Sequence, residues 1–188
     1  HVSTQSPDFV AAGKVRAQYQ KPVVYDECRY EGNVRQGWGN ISAQRMVDNF
    51  WAGTLSGCYV GHGETYQHPD DILWWSKGGV LHGESPSRIA FMGEFIKTLP
   101  WYEMNPDFEL SPGNTVFAKP GVHYLLYFND PGETTLHLPG DRPYKVDMID
   151  TWNMTLEALG SATPGAYSIA QPAPHSVLHF TPYAPGEP

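Results

Sequence analysis

The feature that most constrains this chain is a change of hydrophobic period in its middle. Up to about residue 100, apolar residues alternate between short β-branched runs and stretches spaced 3.6 residues apart. From Val116 onward the spacing is two. A helical period repeated between short apolar runs means strand–helix units and a parallel sheet, whereas many short period-two runs separated by turn residues mean an antiparallel sandwich. The change falls within Pro100 to Pro112, so two domains are expected, 1–105 and 106–188. The expected fold class is α/β followed by all-β.

In the first half, Val2 to Gln5 is β-prone, and Ser6-Pro7-Asp8 is a helix start with proline in the first turn. Phe9, Val10, Ala12, Val15 and Tyr19 then follow at helical spacing. Val23-Val24-Tyr25 reads as a buried strand. Ser42 caps a second helix whose apolar positions are Ala43, Met46, Val47, Phe50 and Trp51. Gly57 to Gly61 is a small second strand, and Ser85-Pro86 opens a third helix carrying Ile89, Met92, Phe95 and Ile96. In the second half, Lys119-Pro120-Gly121 and Asn129-Asp130-Pro131-Gly132 are turn signals between strands, and a loose tail follows Pro182.

Composition excludes several classes. A net charge of −8 argues against a nucleic-acid partner or an anionic membrane surface. No run approaches the roughly 20 apolar residues of a membrane helix. The acidic surplus of the second half suits an exported module, secreted or periplasmic. Cys28 and Cys58 leave two readings open, a disulfide between neighbouring strands or two buried thiols.

The chemistry gathers where the two first-half strands end. Val23-Val24-Tyr25 runs directly into Asp26, Glu27, Arg29, Tyr30 and Glu31, and the second strand runs into His62-Gly63-Glu64. Parallel-sheet proteins place their sites at the carboxyl ends of strands. If the two strands are neighbours, Glu27 and His62 emerge at one rim. With Trp38, Trp74 and Trp75 nearby, the set suits carbohydrate chemistry, carboxylates handling attack or proton transfer and indoles stacking on sugar rings. The bland reading of Asp26 to Glu31 is a solvated loop with one ion pair. A metal centre on His62, Glu64, His68, Asp70 and Asp71 is the rival, but its spacing matches no zinc-helix motif and no calcium loop. No metal and no organic cofactor is expected. In the second half, His123, His137, His175 and His179 are scattered on strands and read as structural or surface residues.

Lys21-Pro-Val-Val-Tyr-Asp-Glu-Cys-Arg-Tyr-Glu-Gly32, Trp38-Gly39, His62-Gly63-Glu64-Thr65, Trp74-Trp75-Ser-Lys-Gly-Gly79 and Gly83-Glu84-Ser85-Pro86-Ser-Arg88-Ile89 together resemble the C-terminal third of apiosidase-like (β/α)8 glycoside hydrolases. Phe108 to Tyr183 resembles the small sandwich of unassigned function that follows the barrel in multidomain bacterial members. The resemblance implies the last three βα units of a TIM-type barrel, strands six to eight, plus that sandwich. It implies a retaining enzyme with Glu27, at the end of strand seven, as nucleophile. Asp26, Arg29 and Tyr30 would orient it, and Trp38, His62, Glu64, Trp74 and Trp75 would line the sugar subsite. The acid/base would sit on strand four, outside these 188 residues, with Glu31 or Glu64 as substitutes that the spacing does not support. The expectation is therefore a polysaccharide-cleaving parent protein and an inactive isolated chain, its open sheet edges covered by the missing barrel segment or by a second copy. The alternative is a non-catalytic carbohydrate-binding or structural module.

Overall fold

The structure is a computed structural model that describes residues 1–78, 80–128 and 132–184. The turn read at Asn129-Asp130-Pro131, Gly79 and the last four residues of the tail lie outside the described residues. The chain divides into two compact units, His1–Gly93 and Glu94–Pro188.

The first unit is built on three parallel strands. β1 (Val2–Gln5) lies beside β2 (Val23–Glu27), and β2 beside β4 (Tyr59–Val60). Helix α1 (Ala12–Tyr19) joins the first pair and α2 (Ala43–Leu55) the second. The first helix starts later than Ser6-Pro7 suggests. Asp8 instead spends its carboxylate on the backbone N–H groups of Val10 and Ala11, which holds a turn ahead of Ala12. The second helix begins as read, with the Ser42 hydroxyl accepting the Arg45 N–H at 3.1 Å. Its apolar face is the core of the unit: Met46, Val47, Phe50, Trp51 and Leu55 are all buried. Gly53 sits inside this helix because a β-carbon there would fall 2.4 Å from Val60 and 2.9 Å from Phe9. That close approach outweighs the roughly 1 kcal/mol that glycine costs in a helix interior.

Short strands decorate the carboxyl rim: β3 (Glu31–Gly32) pairs with β5 (Glu64–Thr65), and β6 (Gln67–His68) with β7 (Ile72–Leu73). A 3₁₀ turn covers Trp74–Lys77, and α3 (Ser85–Lys97) follows. The cysteines are both buried and free. Cys28 follows the end of β2 and Cys58 precedes the start of β4, so in parallel neighbours they lie at opposite ends of the sheet and cannot be bridged.

The second unit is antiparallel. β8 (Asn105–Asp107), β9 (Thr115–Lys119), β10 (His123–Tyr127), β11 (Glu133–Leu138), β12 (Tyr144–Asp150), β13 (Thr155–Ala162), β14 (Gly165–Ala170) and β15 (Ser176–Pro182) form two sheets. Six strands run in the order β13-β12-β15-β10-β9-β8, and β11 pairs with β14. The period-two pattern sends alternate residues into one core: Val116 and Ala118, Tyr124 and Leu126, Tyr144 and Val146, Leu178 and Phe180, against Leu136 and Leu138 of the smaller sheet. β8 carries no sequence signal, being Asn-Pro-Asp at an edge, where a proline is tolerated. The Lys119-Pro120-Gly121-Val122 turn has its Val122 N–H on the Lys119 carbonyl at 3.0 Å and Gly121 at φ +76°. This is a type II turn, with proline and glycine at the positions that need them. Gly121→Ala is expected to lower the unfolding free energy by about 1 kcal/mol, checked by urea titration.

Candidate functional site

β2 and β4 are parallel neighbours with Tyr25 opposite Val60, which sets Glu27 level with His62 at the carboxyl rim. Directly after β2 the backbone turns left-handed at Arg29, φ +74°, and this reversal lets Tyr30 fold back onto Glu27. Burial, then the neighbouring Glu27 carboxylate, push the pKa of the Tyr30 hydroxyl up to about 12, so it keeps its proton. The Tyr30 ring meets Trp38 edge-on at 5.8 Å. Its other side lies against Gly63, where a β-carbon would fall 2.3 Å from the ring. Backbone bonds from Tyr30 N–H to the Trp38 carbonyl and from Ile41 N–H to the Tyr30 carbonyl hold the Gly32 to Asn40 loop over this point.

Glu27, Tyr30, Trp38, Glu64 and Trp75 line one cavity of about 660 Å³, with Gly63, Thr65 and Leu73. Trp38 is 51% exposed and Trp75 66%, so both offer indole faces to solvent. Trp74, its neighbour, is held between His68 and His82, at centroid distances of 4.3 and 4.4 Å. A second cavity of about 260 Å³ shares Gly63, Glu64 and Trp75 with the first and adds His62, Tyr66, Trp74, Val80 and Leu81. Asp26 and Arg29 line neither cavity. Asp26 accepts the Ser3 hydroxyl, and Arg29 is exposed at the left-handed turn.

Beneath the rim lies a network that sequence reasoning did not foresee. Glu31 is 1% exposed, and its carboxylate takes four donors. The Tyr66 hydroxyl (2.9 Å) and Glu84 N–H (2.8 Å) reach Oε1, and the Ser85 N–H (3.2 Å) and Ser85 hydroxyl reach Oε2. Burial alone would raise its pKa; the Ser85 hydroxyl, Glu84 N–H, Tyr66 hydroxyl and Ser85 N–H together hold it below the ordinary carboxylate value. Glu64 accepts the N–H groups of His82 (2.7 Å) and Gly83 (3.0 Å). The two carboxylates thus pin the segment that leads into α3. Ser85-Pro86 marks that helix start in the sequence. No local pattern shows that its N–H groups are answered by a glutamate 54 residues upstream.

Two further chemistries can be weighed here. Among the described residues, the set whose ligand atoms lie within 4.8 Å of one another is Glu31, His62 and Glu64; His68, Asp70 and Asp71 are not in it. The four donors aimed at Glu31 surround a bare carboxylate, and a cation there would meet their hydrogens. Ser85, His62 and Glu31 are also in contact, but their order is wrong for a serine nucleophile. The buried Ser85 hydroxyl donates to Glu31, while His62 Nε2 lies 3.1 Å from Ser85 Oγ.

Comparison with known proteins bears on the fold. Residues 114–176 match a family model described as a domain of unknown function, DUF5605. No curated protein matches the chain. A protein from Bacteroides vulgatus, crystallised as a candidate glycoside hydrolase, superposes with a TM-score of 0.80 at 29% identity over 97% of this chain and 41% of its own length. A structure described as a glycoside hydrolase gives 0.76 at 13% identity, covering 93% and 45%. A family 5 glycoside hydrolase from Bacteroides vulgatus gives 0.74 at 14% identity, again covering 93% and 45%. The chain has a glycoside-hydrolase-related fold. It spans less than half the length of these three proteins. No helix among the described residues is long and apolar enough to cross a membrane.

Proposed function

We propose that this chain supplies the nucleophile and one wall of the sugar-binding cleft of an exported glycoside hydrolase acting on a polysaccharide or its side chains, of apiosidase-like type. The observation that carries the reading is Glu27 at the end of β2, lining with Tyr30 a cavity of about 660 Å³ flanked by exposed Trp38 and Trp75. Residues 1–105 are then the end of a (β/α)8 barrel and residues 106–188 its accessory domain.

Retaining hydrolysis needs a second carboxyl about 5–5.5 Å from the nucleophile, one able to carry a proton. Glu31 is buried under four donors and held ionised, and Glu64 is engaged by two backbone N–H groups. Neither is placed to act as that acid, so it comes from protein outside this chain. The test is covalent trapping. The complete protein, incubated with 2-deoxy-2-fluoro glycosides, is expected to gain one fluorosugar mass on the peptide containing Glu27. A label on a different carboxylate, or turnover without any trapped intermediate, would overturn the assignment.

A further inference from the structure

His62 is half-buried in the smaller cavity, and its hydrogen bonds can be assigned without ambiguity. Glu31 is an ionised carboxylate and only accepts. The single hydroxyl hydrogen of Ser85 therefore goes to Glu31 Oε2, and Ser85 Oγ must accept from its other close neighbour, His62 Nε2 at 3.1 Å. The proton of a neutral His62 is consequently on Nε2. The relay runs His62 Nε2–H to Ser85 Oγ–H to Glu31, and the ring packs at 6.3 Å from Phe50. Burial, opposed by the charges of Glu64 and Glu31, keeps the pKa of His62 below its usual value, so the ring is neutral at pH 7.

That leaves Nδ1 as a bare lone pair. Among the described residues, the buried side-chain nitrogens and oxygens without a hydrogen-bond partner are on Trp51 and Ser56, so His62 Nδ1 has neither a protein donor nor complete burial. It is open to whatever enters the cavity that His62 lines. The other polar groups on this wall tell the same story. Tyr66 has given its hydrogen to Glu31, and Glu64 is a carboxylate. Apart from the indole N–H groups of Trp74 and Trp75, the polar side chains of this wall present acceptors.

We infer that the cavity beside the nucleophile is a subsite for an uncharged sugar, and that His62 selects it by accepting a sugar hydroxyl at Nδ1. An anionic sugar would set its carboxylate or sulfate against Glu64 and a lone pair. The inference rests on the glycoside hydrolase reading and adds its substrate class.

The complete protein and two variants decide it, assayed with 4-nitrophenyl α- and β-glycosides of xylose, arabinose, glucose, galactose and glucuronic acid. Asparagine places an amide oxygen near the Nδ1 position and loses the donation to Ser85. Glutamine does the reverse, reaching Ser85 but withdrawing the acceptor. His62→Gln is expected to raise KM for the preferred neutral glycoside about tenfold, the worth of one hydrogen bond, with kcat little changed. His62→Asn, which keeps an acceptor but loses the Ser85 contact, is expected to raise KM less than His62→Gln does. Affinity should fall in wild type as acid protonates Nδ1, and remain flat in His62→Asn. Wild-type KM in His62→Gln, damage confined to His62→Asn, or preference for the glucuronide would each overturn the inference while leaving hydrolysis intact. If no glycoside is bound or turned over and nothing labels Glu27, the hydrolase reading fails, and this inference with it.

Discussion

Replacing Glu31 with alanine is expected to destabilise the first unit by about 3–5 kcal/mol, a large share of a small unit's stability. The loss has nothing to do with a missing charge on the surface. The substitution orphans the Tyr66 hydroxyl, the N–H groups of Glu84 and Ser85, and the Ser85 hydroxyl, all of which converge on a carboxylate that is 1% exposed. It also removes a negative charge from the amino end of α3, where the helix dipole favours one. Glu31→Gln should recover only part of the loss, because its amide nitrogen turns hydrogens toward groups that are already donors. Urea unfolding measures the total, and hydrogen exchange at Glu84 and Ser85 locates it. A variant that unfolds at the wild-type midpoint with those amides still protected would show that the network carries no weight. Gly83 is a milder probe of the same point, since a β-carbon there would fall 2.4 Å from the Glu31 carboxylate.

Glu31 also marks where the sequence stops being legible. What is local could be read. The 3.6-residue spacing of Met46, Val47, Phe50 and Trp51, the Ser42 cap, and the Pro120-Gly121 turn are each decided within a few residues of themselves. The placement of Glu27 and His62 at one rim was legible as a condition, because parallel neighbours align their carboxyl ends, and β2 and β4 meet it. Whether Trp74 or Trp75 faces outward could only be decided by His68 and His82, which close on Trp74 from other segments. Glu31, Glu64 and Ser85 belong to the same class of problem. A carboxylate that caps a helix 54 residues away looks, in sequence, like any other loop glutamate. His179, read as a structural or surface histidine, is the former, buried and paired with His123.

Between pH 6.5 and 4 the second unit is expected to lose about 3 kcal/mol of stability on account of that pair. His179 is 8% exposed, with its Nε2 3.0 Å from His123 Nδ1 and 3.2 Å from Thr181 Oγ1, and the Phe95 ring edge-on at 5.8 Å. Burial, with the neighbouring His123 adding to it, pushes its pKa down to about 4. Burial and Lys119 likewise lower that of His123. Lys119 is itself paired with Glu103 at 2.8 Å, and Asp147 stands opposite His179 on β12. The sign follows from proton counting. Below the ordinary value of 6.5 the unfolded chain binds a proton that the folded pair refuses, so acid favours unfolding, and the loss is complete only near the folded value. Two rings sharing one N–H···N contact titrate as a unit, so the slope belongs to the pair. Glu31 adds acid lability in a different window. Its folded pKa is lowered, so its contribution is present above the ordinary carboxylate value of 4.5 and is lost only as pH falls below it. Urea unfolding at pH 7, 5.5 and 4.5 therefore separates the two, and His179→Leu should flatten the profile over that range while leaving the decline below 4.5. A His179→Leu profile parallel to wild type from pH 7 to 4.5 would mean that the histidine pair opens and takes up its proton without disturbing the sheet.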